Sequence, residues 1–335
     1  MTPKKLPSGK WRVQGYFKDP MTGIVSRPSF TADSKAEASR MVAEYQAGLR
    51  LSRSDDPLVK DCVDRYIASK ESTLSPSTVR GYRTIQRNDL KLIENHRIST
   101  LTSDVVQNLI SALSRTHQPK TVRNIYALLT SSISMFSDKA FKVTLPQKKP
   151  IEYHIPTSED VRNLIDNASE SLRLPIVLAA TGTLRAGEVC ALRYRDVDEG
   201  GIHVRCDMVK SADNEWVIKD VPKTSSSARF VPLPPKVMDM IGRGDPDAFV
   251  YGRNPAALDH AFRRLRDKLG LKCRFHDLRH FAASSMHALN IPDAFIQERG
   301  GWKSNATLRA VYTHALSDES KRYADIANDH FSKLL

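Results

Sequence analysis

The sequence predicts a multidomain protein, mainly α with small β-sheets. Three observations predict it. Its 335 residues correspond to two or three domains at roughly 100–200 residues each. Helical spacing runs through residues 58–141, while strand patterns come only in short runs near 11–30 and 202–233. A stretch holding three prolines, Pro146 to Pro156, separates the helical region from the C-terminal part of the chain and has the composition of a linker.

Taken in order, Trp11, Val13, Tyr16 and Phe17 form an imperfectly alternating strand. Asp19-Pro20-Met21-Thr22-Gly23 is a turn, and Ile24 to Phe30 is a second strand pattern. Ser34 with Glu37 three residues on makes a capping box for a helix reaching about Leu49. Ser52 to Pro57 is polar. Val59, Cys62, Val63, Tyr66 and Ile67 then recur at three and four residues. Ser75-Pro76 starts a helix with Pro at its first position, and Arg80, Arg83, Arg87 and Lys91 fall on one face of it. Thr102-Ser103-Asp104 opens a further helix and Gln118-Pro119 another, with Lys120 and Arg123 near its start. Thr157 to Asp160 caps the first helix beyond the linker. The expected boundaries are 1–54, 55–145, a linker at 146–156, and 157–335.

Hydrophobic residues make up 40% and charged residues 27%, the balance of an ordinary soluble chain with a proper core. The start, M-T-P-K-K-L-P, lacks the apolar core of a signal peptide. Apolar runs such as Ile176 to Ala180 fall far short of the roughly 20 residues of a bilayer span. The four cysteines lie far apart without C-x-x-C spacing, which argues against a disulfide scaffold or zinc ribbon and for a reducing cytoplasm.

The net charge is +13, distributed as +5 over residues 1–50, +7 over 51–150 and +1 over 151–335. So uneven a basic half points to a polyanion, either nucleic acid or an anionic membrane face. Lys10 and Arg12 on the N-terminal module, and Arg80, Arg83, Arg87, Lys120 and Arg123 on the helical faces, are the candidate DNA-contacting side chains.

Chemistry-bearing residues gather in the balanced C-terminal part. Thr181-Gly182-Thr183-Leu184-Arg185-Ala186-Gly187-Glu188 places an Arg where a turn enters a helix, able to face an anion, with Glu188 three residues on to hold it. Phe275-His276-Asp277-Leu278-Arg279-His280 puts His276, Arg279 and His280 on one helix face. H-D-x-x-H is one methylene from a zinc-protease signature, but Arg279 would set a cation beside the metal and no convincing third ligand follows. Between these islands Ile202 to Met208, Glu215 to Ile218 and Arg229 to Leu233 form strands, with Lys219 and Lys223 near the second. The last island is Gly300-Gly301-Trp302, followed by Tyr312-Thr313-His314.

In this order the islands resemble the tyrosine recombinase, or phage integrase, family: T-G-x-L-R-x-G-E, a hairpin Lys, H-x-L-R-H, G-[H/W] and Y-x-H, from about Thr157 to the end. The preceding helical unit resembles the family's core-type DNA-binding domain. The N-terminal module, with G-K-W-R-V and D-P-x-T-G, resembles the arm-type domain of lambda-like integrases, a small three-stranded sheet plus helix. The resemblance implies a mixed α+β catalytic domain with a C-terminal helical tail. It implies that Arg185 and Arg279 hold the scissile phosphate, Tyr312 is the nucleophile forming a 3′-phosphotyrosine, and His276 gives acid–base support. Trp302 stands where many members have His and can donate an N–H but not shuttle a proton. Glu188 is a buried support. Lys223 is the hairpin general acid, with Lys219 as the alternative. Where the family usually has Gly before L-R, this chain has Thr183.

The implied function is a site-specific integrase of a phage or integrative element, working through a Holliday junction without metal, ATP or any cofactor. The implied partners are double-stranded DNA with core-type and arm-type sites, three further copies in a homotetramer, a host DNA-bending protein and an excisionase, with no membrane. That places the protein in the cytoplasm with the nucleoid. A type IB topoisomerase and a catalytically inactive DNA-binding regulator are the alternative readings.

Overall fold

The structure is a computed structural model describing residues 2–18, 25–51, 56–148, 154–220 and 228–302, together with Ser304, Leu308, Asn328 and Ser332. It divides into two compact units, Met1–Lys149 and Pro150–Leu335. Among the described residues no helix is long and apolar enough to cross a membrane.

The first unit begins with strands β1 (Lys4–Lys5), β2 (Trp11–Gln14), β3 (Phe17–Lys18), β4 (Val25–Ser26) and β5 (Ser29–Ala32), then helix α1 (Lys35–Leu51). β1, β2 and β5 form one antiparallel sheet in that order, and β3 pairs with β4. The two expected strands are therefore each broken in the middle. The cause is Pro28, which lacks an N–H for the ladder; its carbonyl instead accepts Gly15 N–H at 2.9 Å. β1, two lysines with no apolar alternation, has no strand signal in the sequence. Val13, Ala32, Ala38 and Val42 form a small core under Trp11, Phe30 and Met41. Ser34 Oγ accepts Glu37 N–H at 3.1 Å, as the capping signal requires. Lys10 and Arg12 are exposed, Lys10 near Asp33 and Arg12 donating to Ser29 Oγ. The expected turn at 19–23 lies outside the described residues.

Helices α2 (Val59–Lys70), α3 (Pro76–Asn88), α4 (Ser103–Ser114) and α5 (Pro119–Ile133) come next. They close over a core that includes Ile67, Leu101, Ile125 and Leu129. Ser75 Oγ and Thr102 Oγ1 accept the N–H groups of Thr78 and Val105, so both side-chain caps form where the sequence puts them. Lys91 does not extend the basic face, because α3 ends at Asn88 and Leu90 turns into the core with 1% exposure. Arg83 Nη1 is engaged by Asp64 and by Gln86. Arg123 Nε donates to Pro146 O at 3.0 Å, tying down the start of the expected linker. Arg87 and Lys120 are exposed, and Arg80 is half-buried.

The second unit runs α6 (Ser158–Asn167), α7 (Glu170–Gly182), α8 (Ala186–Ala191), a 3-10 turn (Tyr194–Asp196), β6 (Val197–Asp198), β7 (Gly201–Val204), β8 (Cys206–Lys210), β9 (Trp216–Asp220), β10 (Arg229–Pro232), α9 (Pro235–Ile241), α10 (Pro255–Lys268), α11 (Phe275–Ala288) and α12 (Asp293–Gly300). Thr157 and Asp160 exchange bonds of 3.1 and 2.9 Å in a capping box for α6. β6, β7 and β10 form a small antiparallel sheet with β7 central, and β8–β9 is a separate hairpin. The strand expected over 202–208 is thus broken at Arg205, so its two halves serve different sheets. α7 and α11, both apolar over their shared face, pack around Ile176, Leu178, Leu184, Phe275 and Leu278.

Candidate active site

Three chain reversals build the site. The first is the end of α7. Thr183 caps it in the left-handed region at φ 59°, an uncommon conformation for a β-branched residue. Its hydroxyl donates to the carbonyl of Arg299 at 3.1 Å, and its own carbonyl accepts Arg279 Nη1. Arg185 is the N-cap of α8. Its backbone N–H donates to Glu188 Oε2 at 2.9 Å and its Nη1 to Glu188 Oε1 at 2.6 Å.

The second is the start of α11. Arg274 N–H donates to Asp277 Oδ2 at 2.7 Å, the same use of a third-position acid that begins α8. This turns His276 and Arg279 toward the site. His276 and His280 meet edge to face, with ring centroids 4.8 Å apart. His276 keeps an exposed edge, yet enclosure of the ring and then the Arg279 and Arg185 cations pull its pKa down to about 4. It is a neutral imidazole at pH 7.

The third is the end of α12. Gly301, at φ 64°, stops the helix and leaves its last carbonyls without helical partners. Three of them in succession accept from three arginines: Arg299 O from Arg229 Nε at 2.8 Å, Gly300 O from Arg279 Nη2 at 2.5 Å, and Gly301 O from Arg185 Nη2 at 3.5 Å. Trp302 then folds back so that its ring covers Arg279, 3.9 Å from Cζ to the ring centroid. A Cβ on Gly300 would stand 1.7 Å from that ring, so only glycine fits. The indole face is therefore a platform for the guanidinium.

Arg279 is only 1% exposed. Burial, then the Arg185 charge, press its pKa well down. A guanidinium nevertheless stays charged, held here by two carbonyls, an indole face and the nearby Glu188 carboxylate. Glu188 is itself buried, which alone would raise its pKa. The Arg229 hydrogen bonds and charge, with Arg185, outweigh this and hold it at about 2. Three arginines around one carboxylate leave an excess of fixed positive charge, the electrostatics of an anion site.

Arg229 joins the site without having been expected there from the sequence. It is buried and grips Glu188 through Nη1 and Nη2 at 3.1 and 3.0 Å. A signal existed: Arg229 alternates with exposed Phe230 in the same inward register as Val231 and Leu233, an odd place for a cation. The β8–β9 hairpin is seated on α8, where Asp207 occupies the space a Cβ on Gly187 would need. Lys219 faces Asp207 across that hairpin. Lys223 and Tyr312 lie outside the described residues.

The phage integrase family model matches residues 156–319, the segment holding every residue just described. The chain belongs to the phage integrase family, the tyrosine recombinases. Full-length relatives agree. The chain is 24% identical to the ICEBs1 integrase of Bacillus subtilis over 98% of this chain and 100% of that protein. It is 23% identical to a XerC-like tyrosine recombinase of Caldanaerobacter subterraneus, over 92% and 93%. The fold of this integrase-family chain is shared with the Tn1549 transposon integrase solved with circular intermediate DNA, at TM-score 0.64, 16% identity and 81% and 99% coverage. It is also shared with the lambda integrase tetramer solved on a Holliday junction, at TM-score 0.60, 16% identity and 92% and 94% coverage.

Proposed function

We propose that this protein is the integrase of a phage or integrative element, cutting and rejoining duplex DNA at specific sites through a phosphotyrosine intermediate. The observation that supports it most is the convergence of Arg185, Arg279 and neutral His276 on one electropositive site. Two guanidinium forks suit the non-bridging oxygens of a phosphodiester and the charge that builds in its pentavalent transition state.

In this reading Tyr312 Oη attacks phosphorus and loses its proton. The new bond is Tyr–O–P, and the bond to the 5′-oxygen breaks. Neutral His276 is suited to take the phenolic proton or to donate to a phosphate oxygen. Lys223, in the segment after the hairpin, protonates the leaving 5′-oxygen. Attack by a 5′-hydroxyl then restores the phosphodiester, so no ATP is consumed, and the cationic side chains supply the positive charge that Mg²⁺ supplies elsewhere. Four copies exchanging strands in pairs across two duplexes complete the recombination. Arm-type contacts fall to the N-terminal sheet and core-type contacts to the α2–α5 unit, with a host bending protein and an excisionase as regulators.

Covalent trapping tests this reading. The protein is incubated in EDTA with fragmented DNA from its source replicon and host, denatured in SDS, and the linked DNA is sequenced. Adducts at one short inverted repeat for wild type, and none for Tyr312→Phe, are expected. Scattered adducts would instead indicate a topoisomerase. Tight binding with no adduct, even on a nicked suicide substrate, would indicate a regulator.

A further inference from the structure

We propose that Arg229 is a positioning residue for strand cleavage, setting the pose of Arg185 through Glu188. This rests on the assignment of Arg185 to the scissile phosphate.

From the described residues the Glu188 carboxylate accepts four hydrogen bonds. Two come from Arg185, through its backbone N–H and Nη1, and two from the fork of Arg229. The two guanidiniums differ in setting: the Arg185 side chain is 35% exposed and that of Arg229 only 3%. One buried carboxylate is therefore shared between an outward cation, Arg185, and an inward one, Arg229, whose fork is given to the carboxylate. Because Arg229 covers both oxygens, Arg185 needs to give Glu188 only one side-chain donor. Its Nη2 is left for the Gly301 carbonyl and the open side of the site.

Removing Arg229 would strip Glu188 of half its donors while keeping it buried. The carboxylate would then draw Arg185 inward to serve both oxygens, away from the phosphate. Arg229 has a second hold on the site. Its Nε fixes the Arg299 carbonyl, and the next two carbonyls along that turn carry Arg279 and Arg185. Lysine could not do both, since a single ammonium cannot span two carboxylate oxygens and reach a carbonyl on the far side.

The test compares Arg229→Lys, Arg229→Met, Glu188→Gln and the double variant Glu188→Gln/Arg229→Met in the full chain. One measurement needs no DNA: the arginine side-chain Nε–Hε resonances of ¹⁵N-labelled protein, with Arg185 assigned through Arg185→Lys. The Arg185 resonance should move in both Arg229 variants while the thermal melt shows a folded protein. Arg229→Lys retains the buried charge and supplies the readout if Arg229→Met does not fold. The second measurement is single-turnover trapping on nicked duplex of the sequence wild type captures. The rate should fall roughly 100-fold, the scale of an ångström-sized misplacement, with DNA affinity unchanged. The double variant should be no slower than its slower parent, because both changes break one linkage.

An unmoved Arg185 resonance in a folded Arg229 variant would overturn the inference, and so would additive losses in the double variant. Failure of wild type to trap any DNA would overturn the proposed function instead, and the resonances would still decide the role of Arg229.

Discussion

Trp302 lies against the Arg279 guanidinium, and Gly300 leaves the room for it. Gly300→Ala would place a methyl inside the indole and drive the ring away. The expected cost is about 1–3 kcal/mol from overpacking, together with loss of a desolvated cation–π contact of about 2 kcal/mol. Chemical denaturation checks the stability. Trapping assays should show slower cleavage with DNA binding retained, since Arg279 loses its platform rather than its charge.

Thr183 sets strain against a bond. A left-handed conformation costs a β-branched residue about 1–2 kcal/mol, while the hydroxyl bond to Arg299 O returns about 1 kcal/mol. Thr183→Gly removes both and should stay within about 1 kcal/mol of wild type. Thr183→Val keeps the strain and loses the bond, so it should be the less stable of the two. Urea midpoints of the two variants read the order directly, and a more stable Val variant would contradict it.

Three groups at the site contribute to the acid limb of stability. His276 and His280 have pKa values pulled down from 6.5 to about 4, so the unfolded chain binds more protons between those values. Stability should fall as pH drops from 6.5 toward 4. Glu188, lowered from 4.5 to about 2, adds a loss as pH falls from 4.5 toward 2, of about 3 kcal/mol by linkage. Melts across pH check both intervals, and His276→Gln should flatten the upper one.

On the helical unit, Arg83 is committed to Asp64 while Arg87 and Lys120 are exposed. If the exposed pair meets phosphates, Arg87→Ala and Lys120→Ala should each reduce the slope of log affinity against log salt by about 0.9. Arg83→Ala should leave the slope unchanged and cost less than about 1 kcal/mol of stability, as exposed pairs do. Filter binding over a salt series separates the three.

Legibility tracked the range of the interactions. Ser75-Pro76, Thr102 and the Thr157–Asp160 box act within one helical turn, and each starts its helix where the residues say. Arg185, Glu188 and His276 carry a local signal, because their partners or motifs are close in sequence. Failures came where a distant segment decides. Pro28 interrupts the strand pairing opposite Gly15, and Leu90 ends α3 by turning into a core built from other helices, which strands Lys91. Arg229 reaches Glu188 across 41 positions, and nothing near it in sequence shows that a carboxylate waits there. The role of Thr183 was hidden for the same reason, since its bond is to Arg299, 116 positions away.

Carbonyls 299, 300 and 301 hold the arginines through main-chain atoms. Such acceptors survive any side-chain replacement at Arg299, and at Gly301 they persist as long as the turn does. What they cannot survive is a change of length. Adding or deleting one residue in α12 would rotate the whole row by about 100° and offer each guanidinium the wrong neighbour, all three together. The spacing of the arginines is thus protected against spelling changes and exposed to changes in count, so an α12 of altered length would demand simultaneous adjustment on three other elements.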